Sequence, residues 1–203
     1  MSTYLISDMH FGHENIIKYC NRPFKNAEEM DSVIIENINH TVKQEDDLYI
    51  LGDFALAKDA RKLNTLIKQI NGKLHFIRGN HDRHLDEVAK VSDYEILERG
   101  KYRFLLAHRP YAINNPDLRE IRDPLSFPRK WDGWIIHGHE HNHDLSAYPF
   151  INGYAKTINV SVELTDYKPV SLDWIMSLDL DGIKRLETAA GIIEKNKYKG
   201  RED

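Results

Sequence analysis

Apolar residues recur along the first half of the chain in two alternating periods. Residues 3–7 (TYLIS), 47–51 (DLYIL) and 74–78 (LHFIR) are short β-prone runs. Between them, Met30, Val33, Ile34, Ile38 and Val42 mark a helix over 26–42, with Asn26 and Glu29 spaced as a capping box. Ala60, Leu63, Leu66, Ile67 and Ile70 mark a second helix that Asn71-Gly72 ends. The second half changes character. Residues 94–97 and 102–107 flank Glu98-Arg99-Gly100-Lys101 as a hairpin, and a loop with Pro116, Pro124 and Pro128 follows. Trp134-Ile135-Ile136, Thr157 to Val162 and Val170 to Trp174 read as further strands. A weak stripe of Ile183, Leu186, Ala190 and Ile193 predicts a final helix that frays into the charged run EKNKYKGRED. The expected fold is α/β, with two packed mixed sheets and helices outside. The expected organisation is one domain over 1–182, with 183–203 as its helical, charged tail.

Composition narrows the function classes. The 203 residues are 41% hydrophobic and 30% charged, which excludes a disordered or collagen-like chain. No apolar run approaches the ~18 residues of a membrane helix, and MSTYLISDMH lacks the features of a signal peptide. Cys20 is the single cysteine, which fits a reducing cytoplasm and reads as inert packing. A net charge of −4 argues against a long nucleic-acid partner. The 11 histidines are the unusual feature, and their placement gives them meaning.

Five strand-like segments end in polar clusters: Asp8/His10, Asp53, Asn80/His81/Asp82, His108, and His137/His139/His141. Strand ends in open α/β sheets converge on one rim, so residues distant in sequence can meet there. Imidazole and carboxylate suit Zn, Fe and Mn, and an Asn can add its carbonyl oxygen. Two such metals ~3.5–4 Å apart clamp a phosphate and activate a bridging water.

The ordered set Asp8-x-His10, Gly52-Asp53, Gly79-Asn80-His81-Asp82, His108 and Gly138-His139-x-His141 resembles the calcineurin-like metallophosphoesterase superfamily over residues 1 to about 165. SDMHFGHENI and CNRPFKNAEEM resemble a small single-domain branch seen in bacteria and phages. The resemblance implies a four-layer sandwich with metals at the strand-end rim. It implies two divalent ions, Mn2+ first, with Zn2+, Fe2+/Fe3+ or Ni2+ as alternatives. Asp8, His10 and His141 would hold one ion; Asn80, His108 and His139 the other; Asp53 would bridge. His81 would be the general acid and Asp82 would orient it. The implied substrate is a small phosphoester, foremost a diester such as a nucleotide or cyclic nucleotide.

Other residues have blander readings beside the functional ones. His13, Arg78 and Arg109 are candidate phosphate contacts, although Arg78 at a strand end equally suits a carboxylate partner. His137 suits packing beside the ligands, and His143 a loop. His40, His75 and His84 suit structural or exposed positions, and Trp131, Trp134 and Trp174 suit the core. His139-Glu140-x-x-His143 also matches the zinc-protease motif, which requires a helix. A non-catalytic metal-binding scaffold is the other alternative, against which the retention of every expected ligand and of His81 argues. GDFALAKDARK lacks the Arg-Gly of related protein phosphatases, and the ~40 residues after Val162 are too few for the second domain of related nucleases.

Overall fold

The computed structural model describes residues 1–57, 59–110, 128 and 130–189. Pro116 and Pro124 of the expected loop, and Ala190, Ile193 and the charged run of the expected tail, lie outside the described residues.

The first half folds as its periodicity predicts. Strand β1 (Thr3–Ile6) leads to a short helix α1 (Glu14–Tyr19) and then to α2 (Ala27–Thr41). Asn26 caps α2, its Oδ1 accepting from Glu29 N–H at 2.8 Å. The Glu29 carboxylate turns back to Lys25 N–H at 2.7 Å, one residue before the expected partner of a capping box. Strand β2 (Asp47–Leu51), helix α3 (Ala60–Ile67) and strand β3 (Lys73–Ile77) follow, with β4 (Val91–Ser92) beyond. β1, β2, β3 and β4 pair in parallel.

The second half builds another sheet. β5 (Glu95–Arg99) and β6 (Tyr102–Leu106) form the expected antiparallel hairpin. β7 (Trp134–His137) runs parallel to β6, and β9 (Thr157–Asn159) parallel to β7. β8 (Ile151–Asn152) lies antiparallel to β9. The chain then returns to the first sheet with β10 (Val170–Ser171), antiparallel to β1. The spatial orders are β10-β1-β2-β3-β4 and, ending on β11 (Arg185–Leu186), β11-β8-β9-β7-β6-β5. Both sheets are mixed and helices flank them, as expected.

Two expectations at the C-terminal end need correction. Val170 to Trp174 is a strand only through Ser171; helix α4 (Leu172–Ser177) replaces the rest. Ser171 is the reason, because its hydroxyl accepts from Trp174 N–H and leaves Leu172 and Ile175 on one buried face. Residues 183–189 are not helical. Gly182 closes a turn on Asp179, and Leu186 pairs with Ile151 at the sheet edge. Ala189 is fully buried, so this segment belongs to the second sheet's core.

The first sheet is buried on both faces, which explains its near-continuous apolar strands. Ile6, Leu48, Ile50 and Phe76 face α1, α2 and α3. Leu5, Tyr49, Leu51 and Ile77 face Phe104, Leu106, Ile136 and Ile158 of the second sheet. Strand side chains alternate between faces, so these two cores fix the register. The C-terminal ends of β1, β2, β3, β6 and β7 are thereby held at one rim. No helix among the described residues is long and apolar enough to cross a membrane.

Candidate metal centre

The loops leaving β1 and β2 continue to pair beyond the strands. Asp8 N–H donates to Gly52 O, His10 N–H to Asp53 O, and Phe11 N–H to Phe54 O, at 3.0–3.1 Å. Asp8, His10, Asp53, His139 and His141 have φ of 61°, 53°, 51°, 68° and 47°. Left-handed backbone is costly for residues with a Cβ and persists where surrounding structure over-determines it. Here it concentrates at five of the seven expected ligands.

Glycine supplies the close approach. A Cβ on Gly79 would collide with the backbone and carboxylate of Asp53, and one on Gly138 with Ser7 Oγ and Asp8 Oδ2. These positions let the loops after β3 and β2, and those after β7 and β1, press together.

The expected ligands other than Asn80 form two groups. Asp8, His10 and His141 offer ligand atoms within 4.8 Å of one another, as do Asp53, His108 and His139. Asp53 Oδ2 lies 3.5 Å from both His10 Nε2 and His108 Nε2, between the groups. Asn80 Oδ1 lies 3.1 Å from His108 Nε2. Each carboxylate divides its work. Asp8 Oδ2 accepts from His139 N–H and Ser161 Oγ–H, both at 2.9 Å, and Asp53 Oδ1 accepts from His81 N–H at 2.9 Å. The other oxygens face the imidazoles.

Asp8 Oδ1 and His10 Nε2 are buried without a hydrogen-bond partner. Such atoms cost roughly 1–3 kcal/mol each unless a partner is supplied. A carboxylate oxygen and an imidazole nitrogen together are a donor set for a divalent cation, so the residues present fit a metal. At two of the four rings the electrostatics agree. Burial lowers His10 to about 2 and His139 to about 3, keeping both rings neutral with a lone pair to donate. Burial also opposes charge on His108 and His141. The Asp53 carboxylate outweighs it at His108, raising that ring to about 9, and Asp8 with Glu163 raises His141 to about 11. Asp53 is itself held well below the ordinary carboxylate range, because His108 and His10 overcome its burial.

His81 is half-buried and belongs to neither group. Its ring lies 5.3 Å from His10 and 6.2 Å from His13. Asp82 does not orient that ring: its oxygens accept from Asp53, Phe54 and Gly79 N–H, each at 2.9 Å. It ties the β2 loop to the β3 loop, and burial followed by the Asp53 charge raises its carboxyl to about 6. Arg78 has its guanidinium in ion pairs with Asp86 at 2.7 Å and Asp93 at 3.0 Å. His13 Nδ1 lies 3.4 Å from His10 Nδ1, at the rim. Arg109 lies where its charge acts on His139 and Glu140.

His137 is buried with Nδ1 on Gly138 O at 2.8 Å, a structural position. His143 lies 3.8 Å from Cys20 Sγ. Residues 139–143 form bends and turns, so the helix that a zinc-protease motif needs is absent there. His75 stacks on Tyr49, and His84 pairs with Glu87.

The sequence reading missed two residues that brace the site. Arg22 is buried and donates to Asp8 O at 2.7 Å and Met9 O at 2.9 Å. It also donates to Glu163 Oε1, which lies 3.0 Å from His141 Nδ1. A carboxylate on the far ring nitrogen fixes the tautomer and leaves Nε2 for a metal. Arg22 lay within the CNRPFKNAEEM resemblance, whereas Glu163 stood in an apolar stretch with no motif around it.

Residues 1–159 match the family model of the calcineurin-like phosphoesterase superfamily domain. The chain belongs to this superfamily. The matched span contains all seven expected ligands and His81. Calcineurin-like phosphoesterases are metal-dependent, and the groups described here could bind metal. An uncharacterized protein of Methanocaldococcus jannaschii, MJ1445, is 48% identical over 176 residues, covering 86% of this chain and 89% of its own. The Gene 66 protein of Mycobacterium phage L5 is 29% identical over 164 residues, 70% of this chain and 78% of its own. The crystal structure of AQ665 from Aquifex aeolicus, a protein of unknown function, shares the fold. Its TM-score is 0.64 at 31% identity, over 87% of this chain and 98% of that one.

Proposed function

We propose that the protein hydrolyses small phosphodiesters, a nucleotide or cyclic nucleotide foremost, at a centre of two divalent cations. Asp8, His10 and His141 would hold one ion, Asn80, His108 and His139 the other, and Asp53 both. The observation that carries this reading is the position of Asp53 Oδ2, 3.5 Å from an imidazole nitrogen of each group. Bound cations would draw charge from the phosphate oxygens and lower the pKa of water at the site. Manganese is the metal proposed, with Zn2+, Fe2+/Fe3+ and Ni2+ as competitors for the same N/O donors.

The chain's own residues do the rest. His81, outside both groups, gives its proton to the leaving oxygen as the P–O bond breaks and that oxygen keeps the electron pair. The oxygen of water forms the new bond to phosphorus, and the proton it gives up returns to the imidazole through solvent. His13 and Arg109, at the rim, bind phosphate oxygens. Asp82 and Arg78 act through the loops they hold: Asp82 sets the backbone carrying Asp53, and Arg78 braces the turn after β3. The buried Cys20 suits a reducing cytoplasm.

The test is turnover of bis(p-nitrophenyl) phosphate and of a panel of mono- and diesters with added Mn2+ or Zn2+, alongside metal analysis. Diesterase turnover with two bound ions is expected. Two verified ions without turnover of any ester would make the protein a binding scaffold.

A further inference from the structure

A proton donor and the leaving group it serves must lie on the same side of the phosphorus. His81 borders the candidate metal centre through His10, 5.3 Å away, and also lines a cleft of about 710 Å³. The loop after β2, helix α3 and the turn after β3 form its walls, which differ in chemistry. Leu56, 44% exposed, and Ala57 are apolar. Lys62 and Arg83 bring two positive charges. The Lys62 ammonium hangs over Gly12, where a Cβ would lie 2.9 Å from Nζ, beside the loop that carries His10 and His13.

Neighbouring basic side chains are engaged: Arg78 by Asp86 and Asp93, His84 by Glu87. No carboxylate lies within ion-pair distance of Lys62 or Arg83 among the described residues. The acidic residue of the cleft, Asp59, caps α3 by accepting from Lys62 N–H at 3.0 Å. Lys62, whose charge is also felt by the Asp31 carboxyl, and Arg83 share this cleft with Leu56 and Ala57, and that combination fits a ligand with an apolar body and an anionic end. A cleft of this volume falls in the ~300–1,000 Å³ range of small-molecule sites.

We propose that this cleft is the leaving-group subsite, and that it selects phosphodiesters whose leaving group carries a second anion, as a phosphorylated nucleoside does. The proposal rests on the reading of His81 as proton donor. Leu56 and Ala57 cover the sugar or base, and Lys62 and Arg83 take the terminal phosphate as point charge and fork.

Three dinucleotides test it: TpT, pTpT and TpTp. Whichever P–O bond breaks, one of the two phosphorylated forms carries its extra phosphate on the leaving nucleoside. That form should exceed TpT in kcat/KM by roughly tenfold, the other should not, and K62A/R83A should bring the ratio toward one. Lys62→Arg should keep it. Calorimetric titration of thymidine 3′,5′-bisphosphate into the protein in EDTA removes metal chemistry from the readout. It should show binding that K62A/R83A weakens by roughly tenfold or more. Equal turnover of all three dinucleotides, a preference that survives in the double variant, or no bisphosphate binding would overturn the subsite. Failure of the phosphoesterase reading looks different: bis(p-nitrophenyl) phosphate then stays intact with metals bound, and the titration in EDTA alone decides the cleft.

Discussion

Arg22 and Glu163, 141 residues apart in sequence, meet as a buried ion pair at 2.7 Å. Arg22 stands between α1 and α2, and through Asp8 O and Met9 O it ties the loop after β1 to the short 3-10 turn after β9 that carries Glu163. Glu163 is held low, at about 2: the Arg22 charge, followed by His141, overcomes its burial. Its ionised carboxylate is what keeps the His141 ring turned.

Glu163→Gln should therefore act twice. Removing one charge of a buried pair leaves the Arg22 guanidinium uncompensated, which typically costs about 3–5 kcal/mol. Losing the carboxylate behind a ligating histidine typically weakens metal binding about 10–100-fold. Urea unfolding in EDTA reads the first effect, and chelator competition for Mn2+ reads the second. Unchanged metal affinity would reduce Glu163 to a structural role.

Asp53→Asn isolates the proposed shared ligand. Asn tolerates the left-handed φ of 51°, and its carbonyl oxygen can still accept from His81 N–H, so the loop should hold. The negative oxygen between His10 and His108 is lost. Metal content should fall and diesterase activity should disappear while the circular dichroism spectrum stays native. Full activity with two bound ions would remove Asp53 from the centre.

Much of this site is legible in the sequence, because its parts stand at strand ends in a fixed order. Asp8, His10, Asp53, His108, His139 and His141 do meet, since parallel strands deliver their C-terminal ends to one rim. What was not legible depends on geometry. Asp82 follows His81 in sequence, yet its carboxylate turns to three backbone amides rather than to the ring. Arg78 ends a strand beside the site, yet two carboxylates from later turns claim its guanidinium. The helix at Leu172–Ser177 was hidden in an apolar run too short for periodicity to separate strand from helix. The left-handed backbone at five of the expected ligands left only a weak trace, since Asp and His are enriched there yet far more often adopt other conformations.

Metal should also stabilise the fold. A ligand that binds only the native state adds RT ln(1 + [L]/Kd), roughly 2.7 kcal/mol at a hundredfold excess over Kd. EDTA should lower Tm and Mn2+ or Zn2+ should restore it. An unchanged melt after verified metal removal would count against a tight centre.

Asp31 provides a pH signature apart from the proposed metal ligands. Both of its oxygens lie 3.0 Å from Gly12 N–H, and burial raises its carboxyl from 3.8 to about 6. A carboxyl raised in the folded state contributes its full stability below pH 3.8 and loses it as pH rises through about 6. Asp31→Asn keeps one oxygen for Gly12 and removes the ionisation. Relative to wild type, the variant should gain stability between about pH 4 and 7. The shift, discounted for partial exposure, gives a gain on the order of 1 kcal/mol. Urea unfolding of both proteins in EDTA across that range reads the difference, and a difference flat with pH would show that Asp31 titrates normally.

The last prediction separates His81 from the ligands. A general acid outside the metal groups can be lost without losing either ion, so His81→Ala should keep both. Its cost should fall on catalysis, where such groups contribute about 10²–10⁴-fold. The loss should depend on the leaving group. Nitrophenolate is stable as an anion and needs little protonation, whereas a ribose alkoxide needs much. His81→Ala should harm a nucleotide diester more than bis(p-nitrophenyl) phosphate. Metal content and kcat for both esters, measured on one preparation of the variant, decide it. Loss of an ion would make His81 a ligand, and equal loss on both esters would remove it as the proton donor.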